Sequence, residues 1–588
     1  MHGFYNRGLR IDLGSGQHEV FNIPDALLSI TLGGKGLATH FLLQENIAEV
    51  DPLGKDNAII FTTGPITASS VWGSSRYGVF TKSPQTGFYS ESYSGGKAPE
   101  YMDAAGYDII IVKGISDKPV WLEISDTKVK IHSAKDIWGM ETYATEDALR
   151  QKVMELCGEK CGPIVIGPAA ENKVCFAVIE NDYWRSAGRT GVGTVLGSKQ
   201  VKGIAFYGKA RRTIANQALL KEFVKEISNR AKEDKGVQVY KKVGTTGLVD
   251  LMNEIGGFPS RCWQKGRVEH RNGINSTALH ERCEVVPKSC AKCLMSCGRL
   301  STIKNGKYAG LTVEGPEYET IYAFGGLCEI ADIEDILYLN DLCDRLGMDT
   351  ISAGNLAALT IEASRLGRIE LKLDYGDTDG VANLLRDIAY RRNLGEILSK
   401  GIKYASKEWK MEHMAVHVKG LEPAGYDPRI LKGMGLAYAT SDRGACHLRA
   451  TFYKPELAGM VDKNSIEGKA AIFKTWEDRL TYFDMLILCR FYRDMYQWEE
   501  LRIITEALTG LHLSNDDMIN MASKVTDNTR RFNLRAGLQP NDDTLPVALT
   551  KNPLPETGQA ISAEDVKIMV SEYYQTRHWS ENNGNPDA

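Results

Sequence analysis

The sequence predicts an α+β protein, β-rich in its first third and mainly helical afterwards. Three observations predict it: apolar residues alternate with period two through the first part of the chain; the composition shifts at Lys209-Ala210-Arg211-Arg212; and beyond that point apolar residues recur at helical spacing. Leu9, Ile11 and Leu13 alternate, Gly14-Ser15-Gly16 turns, and Glu19–Ile23 returns, which predicts a hairpin. Val120, Leu122 and Ile124 alternate before the Ser125-Asp126-Thr127 turn, and Val129 and Ile131 continue the pattern. Strand runs at Tyr107–Lys113 and Val201–Tyr207 close this region. Leu220, Phe223, Val224, Ile227 and Ala231 then mark a helix, followed by helices over Asn355–Arg365, Val381–Arg391, Glu477–Tyr492 and Asn515–Arg531. A Gly/Pro punctuation at Val418–Pro423 marks a second break, so three domains are expected, 1–210, 211–417 and 418–588. No internal repeat, low-complexity segment or coiled-coil heptad is visible.

Lys+Arg total 71 against Asp+Glu 75, a net charge of −4 in 588 residues, which gives no electrostatic reason for nucleic-acid or membrane binding. The apolar runs, such as Ile109–Val112 and Met485–Cys489, are too short to span a bilayer. Residues Met1–Arg7 lack the apolar stretch of a secretory signal, and twelve cysteines are too sparse for a disulfide scaffold; both point to the cytoplasm. The 57 glycines gather in N-terminal clusters, Gly33-Gly34-Lys35-Gly36, Gly64-Pro65, Gly95-Gly96 and Gly188–Gly197, where the backbone turns tightly or approaches a ligand.

Cys290-Ala291-Lys292-Cys293-Leu294-Met295-Ser296-Cys297 places three thiols within eight residues. Thiolates select zinc, copper(I) or iron–sulfur clusters. Zinc usually draws on two paired knuckles, and no second C-x-x-C exists, although Cys283 lies seven residues upstream. Three local cysteines plus a distant one suit a [4Fe–4S] cluster, with Cys343, Cys446 and Cys489 all open as the fourth ligand. The Gly188–Gly197 stretch departs from the dinucleotide fingerprint, and with Arg76, Arg185 and Arg189 suggests backbone N–H groups and guanidinium forks facing an anion. Two helical stretches, Asp344–Asp349 and Asp484–Cys489, each set an Asp five residues before a second polar or thiol group, hinting at two equivalent halves of one large ligand. Gly315-Pro316-Glu317-Tyr318-Glu319 and Arg443-Gly444-Ala445-Cys446-His447 offer a carboxylate and an imidazole that sequence distance alone does not pair.

Together these motifs resemble the tungsten-dependent aldehyde:ferredoxin oxidoreductase family, over almost the whole chain. Further matches are Gly33–Ala38, Thr81–Phe88, Ala105–Asp108, Tyr426–Arg429 and Arg531–Leu538. The resemblance implies tungsten held by the dithiolenes of two pterins, on a first domain whose sheets form the cofactor base, with two mainly helical domains following. It implies Cys290, Cys293, Cys297 and Cys489 as ligands of a [4Fe–4S] cluster, with Arg76 between cluster and pterin. Asp344, Met348 and Asp349 would contact one pterin, and Asp484, Leu488 and Cys489 the other. Tyr93, Gly95, Arg185, Ser186 and Arg449 match phosphate-side or cofactor-side positions, with Mg²⁺ bridging the pterin phosphates. Three departures stand out: Ile487 occupies a family glycine position, Tyr93 replaces an Asn, and Tyr338 and Asp341 stand where some members carry Glu and His for a mononuclear iron, so that iron is expected to be absent. The oligomeric state, homo- or hetero-, is left open.

The resemblance implies oxidation of an aldehyde and water to a carboxylic acid, with Glu319 as general base and His447 as hydrogen-bond donor to the carbonyl oxygen. Electrons would leave through the cluster to ferredoxin or a ferredoxin-like subunit. The competing readings are a same-family enzyme reducing an aromatic ring or a carboxylic acid, an iron–sulfur electron carrier, and a zinc-stabilised binding module.

Overall fold

The structure, a computed structural model, describes residues 1–587. It divides into two compact units: Met1–Gln238, Ser289–Ser296 and Asp478–Gly537 form the first, and Val239–Lys288, Cys297–Glu477 and Leu538–Ala588 the second.

The first unit carries twelve strands in two sheets. In chain order they are β1 Arg7–Asp12, β2 Gln17–Asn22, β3 Ile59–Thr62, β4 Tyr77–Lys82, β5 Tyr89–Ser94, β6 Ile109–Lys113, β7 Val120–Ile124, β8 Val129–Ser133, β9 Gly162–Val165, β10 Ile179–Asn181, β11 Arg185–Ala187 and β12 Val201–Phe206. The predicted hairpins are present. Asp12 closes the first, its carboxylate accepting from Gly14 N at 2.8 Å and Ser15 N at 2.9 Å. Leu9 and Ile11 face the core while the edge strand β2 is mostly exposed, which is the alternation the sequence showed. In contrast β6, Ile-Ile-Ile-Val-Lys, is covered on both faces and has no alternation to show.

The sheets are ordered β2-β1-β6-β3-β4-β5 and β8-β7-β12-β9-β10-β11, each with one parallel pairing, β1 with β6 and β7 with β12, and antiparallel pairings elsewhere. The second order is the first with six added to every number. The first unit is therefore a topological duplication, although no repeat is visible in the sequence. Strand pairing and connection order can be kept while side chains diverge, so the repeat leaves no period in the sequence. Its consequence is positional. The loop after β5 holds Gly95-Gly96, and the equivalent loop after β11 holds Gly188–Gly191. These edges meet: Ser92 Oγ donates to Gly188 O at 2.7 Å, and the Ser90 and Thr190 hydroxyls lie 2.6 Å apart.

The helix Gln217–Glu233 begins where composition shifts; Asn216 caps it by accepting from Leu219 N at 3.0 Å, and Leu220, Phe223, Ile227 and Ala231 are its buried stripe.

The second unit combines the antiparallel sheet β13 Cys283–Lys288, β14 Gly298–Ile303 and β15 Thr312–Glu314 with helices including Ile333–Leu346, Thr350–Arg365, Thr378–Tyr390, Lys432–Thr440 and Ala563–Arg577. Thr350–Arg365 is buried all round from Ile351 to Ala363, and Asp349 caps it through Ser352 N at 3.1 Å. Val418–Pro423 is a buried tight turn inside this unit, with Val418 bridged to Leu421.

The two Asp stretches are not continuous helices, contrary to the sequence reading. One helix ends at Leu346 and the other, Lys469–Leu486, at Leu486. Both close on a left-handed residue, Gly347 at φ 78° and Ile487 at φ 62°. Met348 N then donates to Cys343 O at 2.9 Å, and Leu488 N to Phe483 O at 2.8 Å, the 6→1 bond of a glycine-type C-cap. The resemblance between the stretches is thus a shared helix cap, three residues after each Asp. No single helix among the described residues is long and apolar enough to cross a membrane.

Candidate active site and metal centre

In the first unit two loops carrying thiols are tied to one glycine. Gly73 N donates to Lys292 O at 2.7 Å, and Cys489 N donates to Gly73 O at 3.0 Å. Gly73 lies at φ +90°, and a Cβ there would meet the Tyr492 ring at 2.6 Å, so glycine is required. Tyr492, in the turn after Cys489, accepts from Leu294 N at 2.6 Å, and its hydroxyl approaches Cys293 Sγ at 3.7 Å. Arg76 Nη1 lies 3.9 Å from Cys489 Sγ. Burial, with the Cys489 and Cys290 sulfurs beside it, pushes the Cys293 thiol up to about 11. Cys290, Cys293 and Cys489 therefore converge, rimmed by a guanidinium and a phenol. Among the described residues no three His, Cys, Asp or Glu side chains close on a single-ion site.

Cys297 opens the next segment and belongs to the second unit, directly before β14. Cys283 pairs with Ile303, at the end of the β13–β14 ladder remote from Cys297. Of the three cysteines left open by spacing, Cys489 is the one that shares the first unit with Cys290 and Cys293; Cys343 and Cys446 lie in the second.

The predicted cofactor-side residues of the first unit fall on equivalent strands of the duplication, Tyr93 and Gly95 at the end of β5, Arg185 and Ser186 on β11. A Cβ on Gly95 would stand 2.8 Å from Cys290 Sγ and 3.6 Å from Arg76 Nη1. Asn181 Nδ2 donates to Gly95 O at 2.9 Å while its Oδ1 accepts from Ser94 and Tyr77 hydroxyls at 2.7 and 3.1 Å. Tyr93 donates to Glu91 at 2.6 Å, and Glu91 pairs with buried Lys35 at 2.9 Å. Ser186 donates to Glu180 at 2.8 Å. Asp484 is ion-paired with Arg490, and Leu488 is buried.

In the second unit, Asp344 and Met348 are buried beside the helix cap, and burial with the neighbouring Asp341 holds the Asp344 carboxyl well above the ordinary range. Asn340 Nδ2 donates to Asp344 at 2.7 Å. Asp349 is committed to capping its helix, and Arg449 is buried. Tyr338 stacks on Tyr308 with centroids 4.5 Å apart and accepts from Arg386 at 2.6 Å, while Asp341 pairs with Arg345 at 2.7 Å.

The same unit brings Glu319 and His447 together across 128 residues. His447 Nε2 lies 3.5 Å from Glu319 Oε1, and Glu319 Oε2 accepts from Gly425 N at 2.9 Å. Three tyrosines fix that N–H by holding the carbonyls around it: Tyr322 donates to Pro423 O at 2.7 Å, Tyr438 to Ala424 O at 3.0 Å, and Tyr318 to Gly425 O. A Cβ on Gly425 would meet Tyr322 Cγ at 2.7 Å, so only glycine allows this approach. Burial, with Glu319 beside it, pushes Tyr318 well above the ordinary phenol value and keeps its proton. Tyr426 stacks on Tyr453 at 4.0 Å and lies 5.8 Å from the His447 ring. Glu319 itself sits on the short helix Tyr318–Thr320, which runs into a π-helix over Ile321–Gly326, a wide turn that recurs at functional sites.

Sequence reasoning missed Gly73, Asn181, Tyr322 and Tyr438. Each acts through groups outside its own local segment, and a lone tyrosine or asparagine carries no spacing signal. The Gly/Pro punctuation at Val418–Pro423 and the family match at Tyr426–Arg429 flank Gly425 without naming it.

Soft thiol donors converge in one unit, and a half-buried carboxylate meets an imidazole in the other. The chain belongs to the aldehyde ferredoxin oxidoreductase family: the model of that family's N-terminal domain matches residues 8–208, and the model of its domains 2 and 3 matches residues 222–588. It is 36% identical to the tungsten-containing aldehyde ferredoxin oxidoreductase of Thermococcus kodakarensis, over 99% of this chain and 97% of that protein. It is 34% identical to the protein of the same name from Pyrococcus furiosus, over 99% and 97%. Among solved structures it resembles the active-site complex BamBC of benzoyl coenzyme A reductase, with a TM-score of 0.84 and 21% identity over 100% of this chain and 96% of that chain, which is a likeness of fold.

Proposed function

We propose that this chain oxidises an aldehyde: aldehyde and water become a carboxylic acid, two protons and two electrons, with ferredoxin as the electron acceptor. The observation that carries the reading is the 3.5 Å approach of His447 to a Glu319 whose other oxygen is held by Gly425 N–H. The residues fit the groups that the family implies. Cys290, Cys293 and Cys489 offer converging thiols and Cys297 the fourth, for a [4Fe–4S] cluster. Tyr93, Gly95, Arg185 and Ser186 come from equivalent strands of a duplicated fold, and Asp344–Asp349 and Asp484–Cys489 share one cap geometry, which suits two like pterins. Gly95, where a Cβ would crowd Cys290, and Arg76 beside Cys489 suit a close approach of cofactor to cluster. Arg449 would face a cofactor, and a Mg²⁺ ion would offset phosphate charge there. When bound, tungsten supplies acceptance of the electron pair, and the cluster supplies single-electron transfer to ferredoxin or a ferredoxin-like subunit.

The protein's own part is proton handling and orientation. Glu319 takes a proton from water or the hydrated aldehyde, and His447 donates to the carbonyl oxygen, polarising it. Gly425 N–H keeps the Glu319 carboxylate aimed. The three domains proposed are 1–210, 211–417 and 418–588, and the proposed location is the cytoplasm.

The test is anaerobic purification, analysis for tungsten, molybdenum and iron, and assay with short and aromatic aldehydes against a viologen and against ferredoxin. Tungsten, about four iron atoms per chain and aldehyde-dependent reduction of both acceptors are expected. A fully loaded protein that leaves every aldehyde untouched overturns the reading.

A further inference from the structure

His447 is the middle residue of a turn closed by sulfur. Cys446 Sγ accepts from Leu448 N at 3.3 Å, two residues on, the connection that an Asp or Asn side chain makes in an Asx-turn. The same sulfur receives two further donors. Arg443 Nε lies 3.2 Å from it and Nη2 3.1 Å, the two adjacent N–H groups of one guanidinium edge on one atom. Cys446 is fully buried and Arg443 is 3% exposed, so these contacts are made away from water. Three N–H donors converging on one atom match the acceptor capacity of a thiolate. A neutral thiol is only a weak acceptor and carries its own hydrogen to place. A guanidinium fork is the group that pairs with an anion in this two-pronged way. Gly444, at φ +100°, makes the tight path between Arg443 and Cys446 possible: a Cβ there would meet Leu421 Cβ at 2.7 Å and Val418 O at 2.8 Å. The loop is thus seated on the buried Val418–Leu421 turn and closed from within by Cys446.

We propose that Cys446 is a thiolate held by Arg443, and that it serves as a positioning residue, fixing the backbone on both sides of His447 so that the imidazole meets Glu319. It touches neither substrate nor cofactor in this assignment. The inference rests on His447 acting in the reaction, as proposed above.

Three variants and one spectrum test it on the whole loaded enzyme. Cys446→Ser keeps a short acceptor for Leu448 N–H but removes the charge, and kcat falls by about tenfold or more with KM for the aldehyde little changed. Cys446→Asp restores both the anion for Arg443 and the natural Asx-turn acceptor, and recovers most of the rate. The S–H stretching band in the infrared gives a readout independent of turnover: its area is the same in the wild-type protein and Cys446→Ser, because Cys446 carries no S–H. If the Cys446 variants fail to fold, Arg443→Gln reads the same quantity, the band gaining one S–H as the sulfur takes up its proton. Loss of an S–H from the spectrum in Cys446→Ser, no gain in Arg443→Gln, or a Cys446→Ser enzyme with wild-type kcat overturns the proposal. A fully active His447→Gln would instead remove the role of His447 while leaving the spectral result standing.

Discussion

Replacing Glu319 by Gln separates the proton-accepting role proposed for this residue from its structural one. The carboxylate oxygen that meets Gly425 N–H at 2.9 Å has an amide-oxygen counterpart in Gln, so the segment held by Tyr318, Tyr322 and Tyr438 keeps its acceptor. The structural loss is the difference between a charged and a neutral acceptor, about 1 kcal/mol. The catalytic loss is larger: base assistance contributes about 10²–10⁴-fold, equivalent to about 3–5 kcal/mol on the barrier. Glu319→Ala would in addition leave Gly425 N–H buried without its acceptor, at about 1–3 kcal/mol of stability. The assay is aldehyde-dependent viologen reduction at saturating substrate, normalised to measured tungsten and iron, with thermal unfolding run in parallel. The expected Gln variant is fully loaded, nearly as stable as the parent and at least a hundredfold slower in kcat. A loaded Gln variant retaining half the parental rate would refute the reasoning.

Gly95→Ala should leave the fold intact but deplete iron, since its Cβ would stand 2.8 Å from Cys290 Sγ and one of them must move; iron and sulfide analysis reads this, and full iron content refutes it. Ile487 is buried and held at φ 62°, which costs a side chain about 1–2 kcal/mol. Ile487→Gly should therefore be at least as stable as Ile487→Ala in chemical denaturation, although it removes more carbon, because only glycine relieves the strain. Glu146 is buried against Arg150 at 2.5 Å and Tyr183 N at 2.8 Å, and burial raises its carboxyl from the ordinary 4.5 to about 7. Between those values the native state keeps a proton that the unfolded chain has lost, so stability falls as pH rises through the window, by up to about 3 kcal/mol. Glu146→Gln should flatten that segment of the denaturation-midpoint curve, and an unchanged slope counts against the assignment.

The order of elements was legible because alternation and helical spacing are local. Leu9 to Ile23 announced a hairpin, and Leu220 to Ala231 a helix, from neighbouring residues alone. Asp344–Asp349 and Asp484–Cys489 were recognised as alike, but the reason, a left-handed cap at Gly347 and Ile487, needs backbone angles. Ile487 shows why: a β-branched residue gives no local hint of a conformation that glycine ordinarily supplies.

The sequence by itself determined which donors are available: three thiols at close spacing, a carboxylate, an imidazole and glycine loops where the backbone turns tightly. Only the tertiary structure decided which of these meet. Burial selects for apolarity at many positions but for partner identity at few, so the meeting of Glu319 with His447, of Cys489 with Cys290 and Cys293, and the copying of one sheet order into a second are written in packing and hydrogen bonding between distant segments, which no run of neighbouring residues contains.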